Sequence, residues 1–311
     1  MKIPGRALIR VTVVATVLGG AVAVAGTPAF AAHSNLDVSG TTIYYAAGAG
    51  VTNNLTVTRS GDTYLFVERG GDPIVSADPA CSYPVPRDTT RMQCVVEKLE
   101  AIWIDVGDLS DTVNHKTDRV AYIYGGSGND TIVIGGRAGV TSYAYGGSGD
   151  DKITSGPGND VISGSTGTDT AIFPGPTPVT ASLITNTAIR AGDTDSLSGI
   201  ENLTGGYGSD TLIGSNGNNV LDGGSALLCS GQPPSCAMVS GDDTMFGLGG
   251  ADTMYGRGGN DWMWGGDGDD TIYGHEGDDH LFGDAHVIYN SLFGGTGNDQ
   301  CEDGEELDCE Y

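Results

Sequence analysis

Four aspartates, Asp252, Asp261, Asp270 and Asp279, follow one another at intervals of nine residues, each five residues after a glycine and two before an apolar side chain. They sit in four adjoining windows: Gly247–Tyr255 (GLGGADTMY), Gly256–Trp264 (GRGGNDWMW), Gly265–Tyr273 (GGDGDDTIY) and Gly274–Phe282 (GHEGDDHLF). A carboxylate repeated at the end of a glycine-rich turn brings a hard anionic oxygen beside exposed backbone carbonyls. That all-oxygen donor set suits calcium and not a soft metal.

The elements that must position these groups follow from the same period. Written G-G-x-G-x-D-x-U-x, the first six positions form a turn, in which glycine allows left-handed backbone and close approach of a neighbouring chain. The last three form a short strand with one apolar residue at position eight: Met254, Met263, Ile272 and Leu281. Three residues cannot make a sheet alone, so each strand must stack on its counterpart in a neighbouring coil.

These motifs resemble the RTX, or haemolysin-type, calcium-binding repeats. The resemblance implies an all-β fold, a right-handed parallel β-roll or β-solenoid in which two nonapeptides make one coil. It further implies that each ion lies between turns of repeats n and n+2, held by position-six aspartates and turn carbonyls. From Gly205 the position-six residues are Asp210, Asn219, Asp243, Asp252, Asp261, Asp270, Asp279, Asn290, Asp299 and Asp308. Pairs with aspartate on both sides are Asp210/Asp243, Asp243/Asp261, Asp252/Asp270, Asp261/Asp279 and Asp279/Asp299, and an asparagine lowers the ligand charge. An earlier, less regular block over 101–172 adds Asp130, Asp151, Asp160 and Asp169, with Asp151/Asp169 as its best-spaced pair.

Residues 173–204 lose the period and read as a bridge that keeps the solenoid going, the alternative being a linker between two rolls. Residues 205–311 form the second block. Its repeat beginning at Gly223 is interrupted by fifteen residues, Ala226 to Ser240. Upstream, 32–100 carries no nonapeptide but alternates in short runs (Thr42–Tyr45, Leu55–Thr58, Tyr64–Glu68, Cys94–Val96), which predicts a small N-terminal β region. This segment resembles the N-terminal part of secreted calcium-binding proteins of Gram-positive bacteria. The solenoid is expected to start at Ile102.

Residues 1–31 read as a secretory signal peptide: Lys2, Arg6 and Arg10, an apolar Val11–Ala25, then Ala29-Phe30-Ala31. No other segment could span a bilayer. RTX proteins of the type I secretion route carry a C-terminal signal and no N-terminal one, so the repeats here need not serve export. The six cysteines fall as local couples, Cys81/Cys94, Cys229/Cys236 and Cys301/Cys309, and in an exported chain favour disulfides, with local pairing expected.

The chain carries 14 basic and 40 acidic residues, for a net charge of −26. Removing three basic residues with the signal leaves 11 − 40 = −29. From Gly205 onward 20 acids face a single base, Arg257. Nucleic acid needs a basic footprint and is excluded as a partner; bound cations are favoured. No G-x-S-x-G or H-E-x-x-H occurs, and His275, His280 and His286 fall in turn or outward positions.

Position nine is aromatic in six successive repeats, which predicts two outward ladders, Phe246/Trp264/Phe282 and Tyr255/Tyr273/Phe293. They shield the sheet or offer an aromatic surface to a cell-surface glycan or a protein. The reading is a secreted, non-enzymatic protein that binds several calcium ions and folds on them. Its alternatives are a calcium-dependent adhesin or matrix protein, and a carbohydrate-active enzyme on a β-solenoid.

Overall fold

The computed structural model describes residues 33–229, 236–284, 290–303, 305–307 and 309. The segment expected to be a signal peptide lies outside them. Among the described residues every regular element is a strand, and no helix is long and apolar enough to cross a membrane.

Two stacked-coil sheets account for almost all of the strands, fifteen in one and fourteen in the other. Through the second block, strands two repeats apart pair in parallel: Met245 lies opposite Met263 and Met263 opposite Leu281 in the first sheet, while Met254 lies opposite Ile272 and Ile272 opposite Leu292 in the second. Successive nonapeptides therefore alternate between the sheets. All six of these position-eight side chains are fully buried, because a strand side chain two residues past the turn points between the sheets. Many of the strands are longer than the expected three residues. Thr244–Gly249, for example, continues into the next turn, with Leu248 paired to Gly266. Backbone pairing persists there because positions two and four adopt left-handed φ, as at Gly266 (100°) and Gly268 (142°). Leu248, Arg257 and His275 are held in the same region at φ 83°, 79° and 79°, which is uncommon for side chains with a Cβ.

The solenoid starts one coil earlier than the expected Ile102. Thr42–Ala46 pairs in parallel with Ala101–Asp105, and Asn54–Ser60 with Thr112–Lys116, so part of the N-terminal β region is itself a coil of the two sheets. Antiparallel strands close this end: Ser34–Ser39 on the first sheet, Thr63–Glu68 and Arg91–Val95 on the second. Their large side chains, among them Tyr64, Phe66 and Met92, fill the space between the sheets, and the Cys81–Cys94 disulfide ties two neighbouring strands.

Both sheets run unbroken through 173–204. In the first sheet a meander of Thr180–Ser182, Thr187–Arg190 and Asp193–Ser198 is inserted between Val161–Thr166 and Thr211–Ile213. In the second, Asn202–Thr204 continues the parallel stack. The interrupting residues after Gly224 form an antiparallel hairpin, Ala226–Cys229 with Cys236–Val239, in which Cys229 and Cys236 are backbone partners. Their side chains, and so the expected disulfide, lie outside the described residues. Cys301 and Cys309 are joined at the far end.

Candidate metal centres along the turns

The strand after each turn fixes where the turn's aspartate points. Position six immediately precedes an outward residue and a buried one, so its side chain is drawn inward at the corner of the coil. Every aspartate expected at this position, from Asp130 to Asp299, is buried.

Each carboxylate uses one oxygen to join the coils. The backbone N–H of Asp210 donates to Oδ1 of Asp243 (2.7 Å), Asp243 to Asp261 (2.7 Å), Asp261 to Asp279 (2.8 Å) and Asp279 to Asp299 (3.0 Å). On the other edge Asn219 donates to Asp252 (2.8 Å), Asp252 to Asp270 (2.9 Å) and Asp270 to Asn290 (2.8 Å). All five aspartate pairs read from the period two repeats apart are thus in contact. The first block has the same ladder despite its irregular spacing: Asp111 to Asp130 (2.7 Å), Asp130 to Asp151 (2.8 Å) and Asp151 to Asp169 (2.8 Å). Extra residues there loop outward without shifting the corner.

The second oxygen is what makes the turns candidate ion sites. Oδ2 of Asp111, Asp130, Asp151, Asp169, Asp243, Asp252, Asp261, Asp270 and Asp279 is buried without a hydrogen-bond partner. A buried, unpaired carboxylate oxygen is costly, so a row of them calls for partners, which a cation or a proton would supply. Except at Asp111, whose repeat has Val106 in that place, the space beside each is defined by the first glycine of its repeat. A Cβ on Gly247 would strike both Asp252 Oδ2 and the Gly265 carbonyl oxygen. The same holds for Gly256 with Asp261 and Gly274, and for Gly274 with Asp279 and Gly294. Carboxylate and carbonyl oxygens thus face one pocket that only glycine leaves open. Among the described residues no three His, Cys, Asp or Glu side chains converge, so coordination here must draw on backbone carbonyls, as calcium allows.

Burial raises these carboxyls when no cation lies beside them. Asp243 is pushed up to about 9, Asp261 to about 8, Asp111 and Asp160 to about 7, and Asp130, Asp169, Asp252 and Asp279 to about 6, with neighbouring carboxylates adding to desolvation. Asp151, Asp195, Asp210 and Asp270 are also raised by burial.

A family model described as the RTX calcium-binding nonapeptide repeat, in four copies, matches residues 122–136, 143–171, 195–226, 239–271 and 255–285. The chain carries RTX calcium-binding repeats. No curated protein matches it. RTX nonapeptide repeats bind calcium, and the open glycine pockets and orphaned oxygens fit that ion. The matched segments include Asp195 and Glu201, which the period did not single out. Asp195 accepts the Asp160 N–H (2.7 Å), and Glu201 Oε2 that of Asp169 (2.8 Å). Their signal was present as acid-x-apolar in Asp195-Ser196-Leu197 and Glu201-Asn202-Leu203. Asp111, outside the matched segments, had the same signal in Asp111-Thr112-Val113.

At other RTX corners the second oxygen, or its replacement, has a partner. Asn219 donates its amide to the Glu201 carbonyl (2.7 Å), Asn290 to that of Gly283 (2.6 Å), and Asp210 Oδ2 accepts from Gly206 N–H (2.7 Å). An asparagine there supplies a donor of its own, which lowers the demand for an ion. A second, outer ladder runs along position five, where Asn260 N–H donates to Asp242 (2.8 Å), Asp278 to Asn260 (2.8 Å) and Asn298 to Asp278 (2.9 Å).

Proposed function

We propose that this is a secreted, non-enzymatic calcium-binding β-roll whose RTX coils complete their folding on extracellular calcium. Asp130, Asp151, Asp169, Asp210, Asp243, Asp252, Asp261, Asp270, Asp279 and Asp299 are the proposed side-chain ligands, with first-position glycine carbonyls between them. Asp111 joins them, and Asp160 belongs to the same series with its second oxygen near the Gly156 N–H (3.3 Å). The observation that carries this is the row of buried Oδ2 atoms without partners, all but that of Asp111 beside a pocket that a Cβ would fill. Held there, calcium would neutralise the carboxylates and link successive turns; the chain's own residues supply the shell and the register. A site filled at ten times its dissociation constant stabilises by about 1.4 kcal/mol, so four or five sites match the roughly 5–15 kcal/mol of a whole domain. Affinities near 10⁻⁴–10⁻³ M, ordinary for extracellular modules, would then suffice. The disulfides at Cys81–Cys94 and Cys301–Cys309 fit an oxidising compartment. Circular dichroism in calcium and in chelator tests the reading. Strand signal is expected to fall sharply in chelator and return cooperatively at millimolar calcium, and unchanged spectra would end it.

The aromatic ladders support a second role, as a face for a cell-surface glycan or protein. Phe246, Trp264 and Phe282 stack at 4.8 and 5.1 Å between centroids, and Tyr255, Tyr273 and Phe293 at 5.2 and 4.7 Å. Their planes lie within 6–11° of parallel, so ring faces are taken by neighbouring rings and edges are offered outward. Trp262, 42% exposed and stacked on His280 at 4.1 Å, extends the first ladder. Glycan and cell-wall pull-down by the Trp264→Ala/Tyr273→Ala protein tests it, and unchanged retention would remove it.

A further inference from the structure

Among the described residues, one junction of the ladder brings a cationic side chain to the second carboxylate oxygen. Asp160 N–H donates to Asp195 Oδ1 at 2.7 Å, the same contact that links other turns two repeats apart. Yet Asp195 Oδ2, fully buried, is not orphaned. It accepts from the guanidinium of Arg190 at 3.2 Å and from the Ser155 hydroxyl at 2.7 Å. The same Arg190 nitrogen lies 2.7 Å from the Gly156 carbonyl oxygen, 2.7 Å from Ser155 Oγ and 3.6 Å from Asp193 Oδ2. Gly156 and Ser155 are the second and first residues of the turn that ends at Asp160. Arg190 therefore sits in a shell made only of oxygens: carboxylates, a turn carbonyl and a hydroxyl. Its side chain is 10% exposed and its guanidinium lies 5.7 Å from the Phe173 ring centroid, which seals it from one side.

We infer that Arg190 is a built-in cation, occupying with its guanidinium the charge position that calcium fills at the other turn junctions, so that the Asp160–Asp195 junction closes without a metal. The inference rests on the calcium reading of the remaining turns. A guanidinium is permanently charged and well suited to oxygen acceptors, and it satisfies in covalent form what an ion satisfies by mass action. The antiparallel meander explains how it reaches the site. Thr187–Arg190 runs back beside Asp193–Ser198 and delivers Arg190 directly opposite Asp193, an approach that no nine-residue coil offers. The consequence is a metal-independent step between two calcium-dependent stretches of the roll.

Amide hydrogen exchange in chelator and in calcium, combined with calorimetric ion counting, tests this on the full chain. In the natural protein the amides of Asp160 and Ser196 are expected to keep their protection in chelator, whereas those of Asp243, Asp261 and Asp279 lose it. In Arg190→Met, protection of Asp160 and Ser196 becomes dependent on calcium, and the ion count rises by one. Arg190→Lys, which keeps a cation, retains the original count. The inference is overturned if Asp160 already depends on calcium in the natural protein, if Arg190→Met gains no ion or fails to fold even at high calcium, or if Arg190→Lys gains an ion as well. Protection of Asp243, Asp261 and Asp279 that ignores calcium would instead sink the reading of the other turns, so the two failures are separable.

Discussion

At the amino-terminal end of the two sheets the interior is filled by rings and branched chains: Tyr45, Tyr64, Phe66, Ile74, Met92 and Leu99 are all buried. Between Thr244 and Thr296 each strand contributes one buried apolar side chain, and the corners other than Asn290 are filled by aspartates with a spare oxygen. A parallel stack runs through both, with antiparallel strands added at the amino-terminal end. What differs, on the proposed function, is the source of cohesion, apolar burial at one end and ions at the other, since a large buried side chain stabilises by about 1.5–3 kcal/mol without any ligand. A single pair of sheets can therefore hold together at one end under conditions that open the other.

The broadest way to break this comparison is to remove calcium and follow amide exchange along the chain. Three sites filled at ten times their dissociation constants contribute about 4 kcal/mol, roughly a thousandfold in protection. Loss of that size is expected between Thr244 and Thr296, while Thr42–Ala46 and Thr63–Glu68 stay protected.

Single substitutions sharpen the contrast. Phe66→Ala should cost about 3–5 kcal/mol in thermal or urea unfolding, equally in calcium and in chelator. Asp261→Ala removes the carboxylate that accepts the Asp243 N–H, while the Asp261 N–H to Asp279 is kept. For each site it empties it should cost about 1.4 kcal/mol more in saturating calcium than in chelator, where loss of that hydrogen bond is offset by removal of a raised carboxyl.

The ends also differ in their response to pH. Without calcium, Asp243 (about 9), Asp261 (about 8), Asp252 and Asp279 (about 6) titrate well above the ordinary aspartate value of 3.8. A carboxyl raised in the fold binds protons more tightly there, so its stabilising contribution is complete below about 4 and is lost as pH rises through 6–9. Melts in chelator should therefore show the second block gaining stability as pH falls from 9 to 4. In calcium the trend is expected to reverse, as protons displace the ion.

Smaller effects test the outer face and the asparagine corners. Trp264→Ala breaks two ring stacks, with Phe246 and Phe282, at about 1–3 kcal/mol in total. Asn290→Asp loses the amide donor to Gly283, about 1 kcal/mol in chelator, and should lower the calcium midpoint by calorimetry.

What the period carried was legible residue by residue: buried position eight, the corner aspartates, their two-repeat partners and both aromatic ladders of the second block. Contacts without a period were not. Ile43 pairs with Ile102 across 59 residues, and no local spacing announces it. Another ladder on the first sheet, Tyr44–Trp103–Tyr122–Tyr143, escaped for the same reason, its rings being 59, 19 and 21 residues apart yet 6.2, 4.4 and 4.8 Å between centroids. Arg190 was invisible because it is not repeated, and its role exists only where the meander folds back onto Ser155 and Gly156.

The hairpin Ala226–Val239 separates Asp210 from Asp243 by 33 residues, yet their contact, at 2.7 Å, equals that of Asp243 with Asp261 at a separation of 18. Register in this roll thus carries no memory of the length of chain between corners. The stretch between Gly224 and Gly241 is a natural graft point, where a foreign peptide or small domain could ride on the scaffold while the coils beneath it close as before, with its display governed by the calcium proposed to close them.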